Sequence, residues 1–432
     1  MKQNCRRFLE WLTLANNKEY LGHGPQCHNI TPLKNAQQTS VVWWKAMPKG
    51  IWVLGFGSLF MDLSSEMVHS LLPVFLVTSL GASMMTVGVI EGVAEATAAI
   101  TKVFSGALSD YFRRRKFLLI LGYGLAALTK PIFPMASSAS WVFGARFIDR
   151  IGKGIRGAPR DALVADITPP EGRGAAYGLR QALDSVGAML GPMLAVVLMF
   201  VFVNDIRTVL WFAVIPACIA VGILFFFLRE PDREREGTSV KSPLILHEVK
   251  RLPKRFWMTV LLGAVFSLAR FSEAFLVMRA MGVGLAIGYV PVVMIVMNLL
   301  YAGAAFPAGA AADRFSKRTL LLMGLSFLIG ADLILAWASS SMMVFVGAAL
   351  WGLHMAFTQG LLSKLVADTA PKEILGTGFG IFNLVSGVSL LFASLIAGFL
   401  WSTYGAPLTF YAGAGFASIA SIGVLVALRP FR

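Results

Sequence analysis

Runs of about 20 apolar residues recur along the whole chain, and nothing else in the sequence restricts its fold so severely. A helix needs about 20 such residues to cross the hydrocarbon core of a bilayer. The runs cover 51–80, 83–105, 117–136, 141–165, 178–203 and 208–228, and then 257–281, 285–310, 318–338, 342–366, 376–401 and 408–428. The sequence therefore predicts an all-α integral membrane protein with twelve transmembrane helices in two six-helix bundles, 49–228 and 257–432. The polar stretch 229–256 is the expected linker, and residues 1–48 are read as a cytoplasmic extension, since they lack the apolar core and cleavage site of a signal peptide. With 56% hydrophobic and 14% charged residues, the first partner of the chain is the lipid bilayer.

The net charge of +15 does not point to nucleic acid, because Lys and Arg recur between the apolar runs instead of forming one basic face. They crowd alternate loops: 113–116, Arg173, the linker, Arg314 with Lys317 and Arg318, Lys372, and both ends of the chain. The turns around Gly81, Ser138, Gly282, Ser340 and Gly405 carry almost none. By the positive-inside rule both termini are expected in the cytoplasm, which suits a multi-pass protein of a bacterial inner membrane. The three cysteines are scattered, and His23, Cys27 and His28 are too loosely spaced to predict a metal site. No GxxxxGK[ST] loop, HExxH or CxxC pattern occurs, so neither an ATP-driven pump nor an enzyme is expected, and no cofactor.

The two halves repeat one another. Gly106, Asp110 and Arg114 are echoed by Gly309, Asp313 and Lys317, the stretch Leu163-Val164-Ala165-Asp166 by Leu365-Val366-Ala367-Asp368, and Gly174 with Gly178 by Gly376 with Gly380. A parallel repeat of six helices implies a pseudo-two-fold axis along the membrane normal, with a cavity between the halves.

The segment Gly106-Ala-Leu-Ser-Asp110-Tyr-Phe-Arg-Arg114-Arg115 resembles the signature loop of the major facilitator superfamily, departing from it at Tyr111 and Arg113. The second copy, from Gly309 through Asp313 and Arg314 to Lys317 and Arg318, has Ala311 in place of leucine. The resemblance implies a transporter in which both loops act as gates, a charge-dipole contact of about 1 kcal/mol being weak enough to reopen. Gly178, Gly187, Gly191 and Pro192 resemble that family's antiporter motif, with Ala195 and Val196 replacing its final glycines; tight packing and a kink are the plainer reading. Arg150-Ile-Gly-Lys-Gly154 resembles the family's arginine motif, Arg146 being an alternative register, and the resemblance implies that the arginine assists proton transfer. The charged stretch 146–161 is similar to bacterial exporters of drugs or nickel.

Charges inside the spans supply the candidate site. The first half holds Asp62, Glu66, Glu91, Glu95, Asp149 and Asp184 against Lys102, Arg146, Arg150, Lys153, Arg156 and Arg180. Facing lipid at roughly 3 kcal/mol each they would cost on the order of 30 kcal/mol, so they must face inward and pair, acids of helices one, two and five against bases of helix four. At about 100° per residue, Asp62, Glu66 and His69 share an arc of roughly 60°. The second half offers fewer: Arg270, Glu273 and Arg279, Asn298, Asp332, and His354 with Gln359.

Three readings compete. In the first, an antiporter exchanges protons for a small organic substrate: Asp62 and Glu66 form the proton site, Arg150 is the charge that moves between partners, and His69, Glu91, Glu95, Arg146, Asp149, Asp184, Arg270, Glu273 and His354 border the cavity. The second is export of a divalent metal, with Asp62, Glu66 and His69 as ligands. The third, a channel or receptor, has no use for duplicated gates. For Lys102, Asp184 and Glu91, purely structural pairing is the competing reading.

Overall fold

The computed structural model describes residues 47–112, 114–230, 249, 252–311, 315–371 and 374–427, without the side chains of 106–108, 110–112, 171, 310 and 427. The extension up to residue 46, with His23, Cys27 and His28, most of the linker, Asp313, Arg314, and the side chains of Gly106 and Asp110 lie outside this set.

The first half consists of α1 (Lys49–Val74), α2 (Met84–Phe112), α3 (Arg115–Thr129, continued by Ile132–Met135), α4 (Ala139–Ile167), α5 (Arg173–Val201) and α6 (Ile206–Phe212 and Val214–Phe227). The second consists of α7a (Lys254–Leu268), α7b (Ala274–Gly282), α8 (Val292–Ala311), α9 (Lys317–Trp337), α10 (Ser341–Thr369), α11 (Leu375–Tyr404) and α12 (Ala406–Ala427). Among the described residues ten helical segments are long and apolar enough to cross a membrane. The remaining two crossings are the unusual ones. At 29 residues α4 has the length but carries too much charge, and helix seven is interrupted.

That interruption corrects the continuous run expected over 257–281. Residues 269–273, Ala-Arg-Phe-Ser-Glu, leave the helix without any glycine or proline to force it. Ser272 Oγ accepts the Ala274 N–H at 3.2 Å and starts α7b afresh. Irregular backbone at membrane depth is tolerated where it is buried in protein or borders a water-filled space, and residues 270–273 border the central cavity.

The halves meet where α2 packs on α11, α5 on α8 and α1 on α7b. Small residues bring the first pair together: a Cβ on Gly88 would run into the Ser394 carbonyl, and one on Gly387 would stand 2.7 Å from Ala99. One large apolar core, including Leu71, Phe75, Phe275 and Leu276, contains residues of both halves. At the end bearing the basic loops the core divides in two, one part around Leu54, Leu163 and Leu224 and the other around Phe256, Val366 and Phe382. The molecule is thus sealed across both halves at one end and separate at the other.

At the separate end the repeat is visible as two equivalent ion pairs, Arg115 with Asp166 and Lys317 with Asp368, each joining residues 51 apart. Lys317 therefore corresponds to Arg115 and not to Arg114, whose side chain is exposed. The one-residue shift follows from helix geometry, because Arg115 opens α3 as Lys317 opens α9.

Candidate functional site

Between the halves lies a cavity of about 220 Å³, bordered by Glu66, His69, Glu95, Arg150 and Lys153 on one side and by residues 270–273 and Asn298 on the other. A single water needs only about 10–15 Å³, so a small molecule fits. The bases of the first wall come from α4. Its bases recur at helical spacing and meet acids of α1, α2 and α5: Arg146 Nη2 donates to Glu91 at 2.8 Å, Arg150 lies 3.2 Å from Glu95, Arg156 3.9 Å from Asp62, and Arg160 3.5 Å from Asp184. Buried charges in this arrangement are held by partners of opposite sign, as a low-dielectric interior demands.

His69 joins two of these acids. Its Nδ1 is 3.5 Å from Glu66 and its Nε2 3.6 Å from Glu91. Glu66 and His69 border the cavity, whereas Glu91 is 1% exposed, so the series Glu66, His69, Glu91, Arg146 leads from the cavity into the bundle. The separations exceed hydrogen-bond length, and small side-chain shifts would make and break the contacts. Three ionisable groups this close are electrostatically coupled.

Several sequence expectations change on this geometry. Asp62 and Glu66 do not share partners: Asp62 faces Arg156, and Arg150 pairs with Glu95. Among the described residues no three His, Cys, Asp or Glu are placed to hold a metal, so Asp62, Glu66 and His69 do not form a ligand set. Of the expected cavity residues, His69, Glu95, Arg270 and Glu273 border it, while Glu91, Arg146, Asp149, Asp184 and His354 do not. The first four of those are drawn behind the wall by their counter-charges; Asp149 takes Lys130 at 2.9 Å and Asp184 takes Arg180 at 2.7 Å. His354 is buried in the second half, its Nδ1 donating to the Gly324 carbonyl at 2.9 Å.

Gly187 and Gly191 turn out to serve helix packing within the first half. A Cβ on Gly191 would stand 2.7 Å from the Leu63 carbonyl and 2.8 Å from Glu66 Cβ, and one on Gly187 would strike the Leu59 carbonyl. They let α5 press on α1 directly behind Glu66. Pro192 sits inside α5, and Gly178 has nothing within 4 Å of its Cβ position.

Sequence reasoning missed three features. Lys130, a single base in an otherwise apolar run, is buried against Asp149 and Ser65, and its isolation was the available signal. Lys153 borders the cavity and makes no ion pair within 4 Å among the described residues. The break in helix seven had no local signal in the sequence; in the structure it holds Arg270 and Glu273 4.0 Å apart.

The Major Facilitator Superfamily model matches residues 54–299 and 283–432. Over 389 residues the chain is 29% identical to an uncharacterised MFS-type transporter of Methanocaldococcus jannaschii, covering 88% of this chain and 95% of that one. It is 24% identical to the class H tetracycline resistance protein of Pasteurella multocida, over 68% of this chain and 77% of that protein. Among solved structures, the nucleoside transporter NupG superposes with a TM-score of 0.72 at 11% identity, over 89% of this chain and all of that one. A bacterial homologue of the lysosomal transporter Spinster, inward-facing and occupied, superposes with a TM-score of 0.69 at 16% identity, over 88% of this chain and 96% of that one.

Proposed function

The chain belongs to the major facilitator superfamily, and from that premise we propose that this multi-pass membrane transporter is a proton-coupled antiporter that exports a small organic compound across a bacterial inner membrane. The observation that carries the reading is the position of Glu66 and His69: both border the substrate-sized cavity, and both continue through Glu91 to a buried arginine. A substrate and a proton compete for such a site, which is what exchange requires. The ammonium of Lys153 and the guanidinium of Arg270, on opposite walls, give the substrate polar contacts in both halves.

The basic loops and the linker support a cytoplasmic position for the separate end, which makes this conformation inward-open. Reporter fusions at Gly237 and Arg432 are expected inside; fusions active on the outer face would reverse the orientation. Opening and closing then exchange one large apolar seal for another across a fixed site. The resemblance to drug exporters and the likeness to the tetracycline resistance protein support the outward direction. The metal alternative has no assembled ligand set among the described residues to favour it.

The experiment is uptake into inverted vesicles under an imposed pH gradient, screened with organic cations, organic anions and divalent metals. Glu66→Gln is expected to abolish accumulation driven by the gradient while retaining substrate exchange. Full accumulation by Glu66→Gln would remove this residue from coupling, and uptake of metals alone would overturn the organic substrate.

A further inference from the structure

Behind the unwound segment of helix seven, the second half buries polar atoms that nothing satisfies. Asp332 on α9 is 0% exposed, and neither carboxyl oxygen has a hydrogen-bond partner. Trp351 Nε1 and His354 Nε2 on α10 are buried in the same condition. Buried polar groups are almost always paired, and a carboxyl with neither oxygen paired asks for a reason.

Asp332 and Trp351 lie behind one aromatic ring, whereas His354 sits about two helical turns away along α9, at Gly324. Phe271, from the unwound segment, borders the central cavity, and its ring centroid is 5.4 Å from that of Trp351 and 5.6 Å from that of Phe410. Its Cε1 lies 2.9 Å from the point a Gly413 Cβ would occupy, and Asp332 Oδ2 lies 2.5 Å from the same point. One ring and the bare side of a glycine therefore separate the cavity from the carboxyl. Any side chain at Gly413 would collide with both.

Among the described residues no counter-charge reaches Asp332. On α10, His354 is engaged by Gly324, about two turns away along α9; α12 presents Gly413; Arg279 of α7b donates to the carbonyls of Leu335, Ala336 and Ala338 at the C-terminal end of α9; Arg270 and Glu273 stand on the cavity side of Phe271. An ionised carboxylate in such surroundings is among the least tolerable arrangements in a protein, so in this conformation the group is a neutral acid. The N–H groups of Phe271, Ser272 and Glu273 make no backbone hydrogen bond with any described residue, which leaves this stretch of the half free to rearrange. Withdrawing Phe271 opens the cavity directly onto Asp332.

We propose that Asp332 is a second proton-binding carboxyl, housed in the C-terminal half and gated by Phe271. With the ring withdrawn, the carboxylate accepts a proton from hydronium in the cavity and leaves water; with the ring seated, the acid is held dry. The proposal rests on proton-coupled transport but concerns a different group from Glu66, and the two fail differently: Glu66→Gln ends coupling, whereas Asp332→Asn lowers the number of protons moved per substrate.

The test is labelling of the full-length reconstituted protein with dicyclohexylcarbodiimide, which attacks protonated carboxyls in apolar surroundings, mapped by peptide mass spectrometry. Asp332 is expected to label slowly in the wild type and at least about tenfold faster in Phe271→Ala, because the opening step is removed. The label should fall as pH rises in the Phe271→Ala protein. In vesicles, the proton-to-substrate ratio of Asp332→Asn should drop. Absence of label at Asp332 in both proteins, or an unchanged ratio in Asp332→Asn, overturns the proposal. Should Asp332→Asn fail to fold, the labelling comparison, which leaves Asp332 in place, decides alone.

Discussion

The two halves share a backbone plan but treat buried polarity in opposite ways. In the first, Glu91, Arg146, Asp149 and Lys130 are all deeply buried, and each has an ionic partner within 2.9 Å. In the second, Asp332, Trp351 and His354 are as deeply buried, with polar atoms that have none. Duplication has thus preserved the packing, visible in the equivalent pairs Arg115 with Asp166 and Lys317 with Asp368, without preserving the chemistry. Groups held by counter-charges resist being opened one member at a time; a buried acid without a counter-charge does not. The comparison makes substitutions in the two halves diverge in size and even in sign.

The largest effect belongs to the first half. Arg146→Met leaves Glu91 ionised and buried beside His69 alone, and removing one member of a buried pair costs about 3–5 kcal/mol. A fall of many degrees in the thermal midpoint of the purified protein is expected; a midpoint unchanged from wild type would mean that the network is wet and weak. Next comes Gly191→Val, which drives a side chain into the Leu63 carbonyl and Glu66 Cβ and should cost about 1–3 kcal/mol by overpacking. Because the displaced atom belongs to Glu66, coupling should suffer along with stability. Loss of stability with a normal proton-to-substrate ratio would confine Gly191 to packing.

The second half should respond with the opposite sign. Asp332→Val replaces an acid without partners by an apolar group, and removing an unsatisfied buried polar group is expected to be neutral or stabilising by about 1 kcal/mol. The thermal midpoint should stay level or rise while transport falls. A marked destabilisation would show that Asp332 has a partner in the resting protein and that the contrast between the halves is smaller than the geometry makes it.

The same contrast explains what could be read from the sequence. Twelve crossings were legible because hydrophobic length is a local property, and the acid-to-base pairing around α4 was legible because unpaired charges at membrane depth are too costly to leave alone. Which acid meets which base was not, since Asp62 and Glu66 share a helix face within roughly one turn while their partners depend on how α4 leans. Arg115 and Arg114 are adjacent, and only the start of α3 decides which one points at Asp166. The break at 269–273 was invisible for a different reason: each residue there is an acceptable helix former, and only the cavity beside them makes the unwound state tolerable.

The smallest expected effect lies in the paired loops, and it tests whether the repeat is functional there or only architectural. Arg115 is buried and Asp166 half-buried, whereas the Lys317 and Asp368 side chains are 33% and 46% exposed. Water screens the second pair, so Lys317→Ala should cost no more than about 0.2–1 kcal/mol. The backbone N–H of Arg115 is also received by Glu230 of the linker, a contact that the side-chain substitution Arg115→Ala leaves in place. Arg115→Ala should therefore cost more than Lys317→Ala, but only by the loss of a better-shielded pair. If both pairs fix the ends of their bundles and nothing else, the two variants will differ in stability and agree in transport rate. If they are latches released in each cycle, both will shift the inward-to-outward balance in the same direction, read as a change in the exchange rate at equal substrate on both sides. A change confined to Arg115→Ala would mean that only the first half is latched, carrying the asymmetry of the buried charges through to the gates.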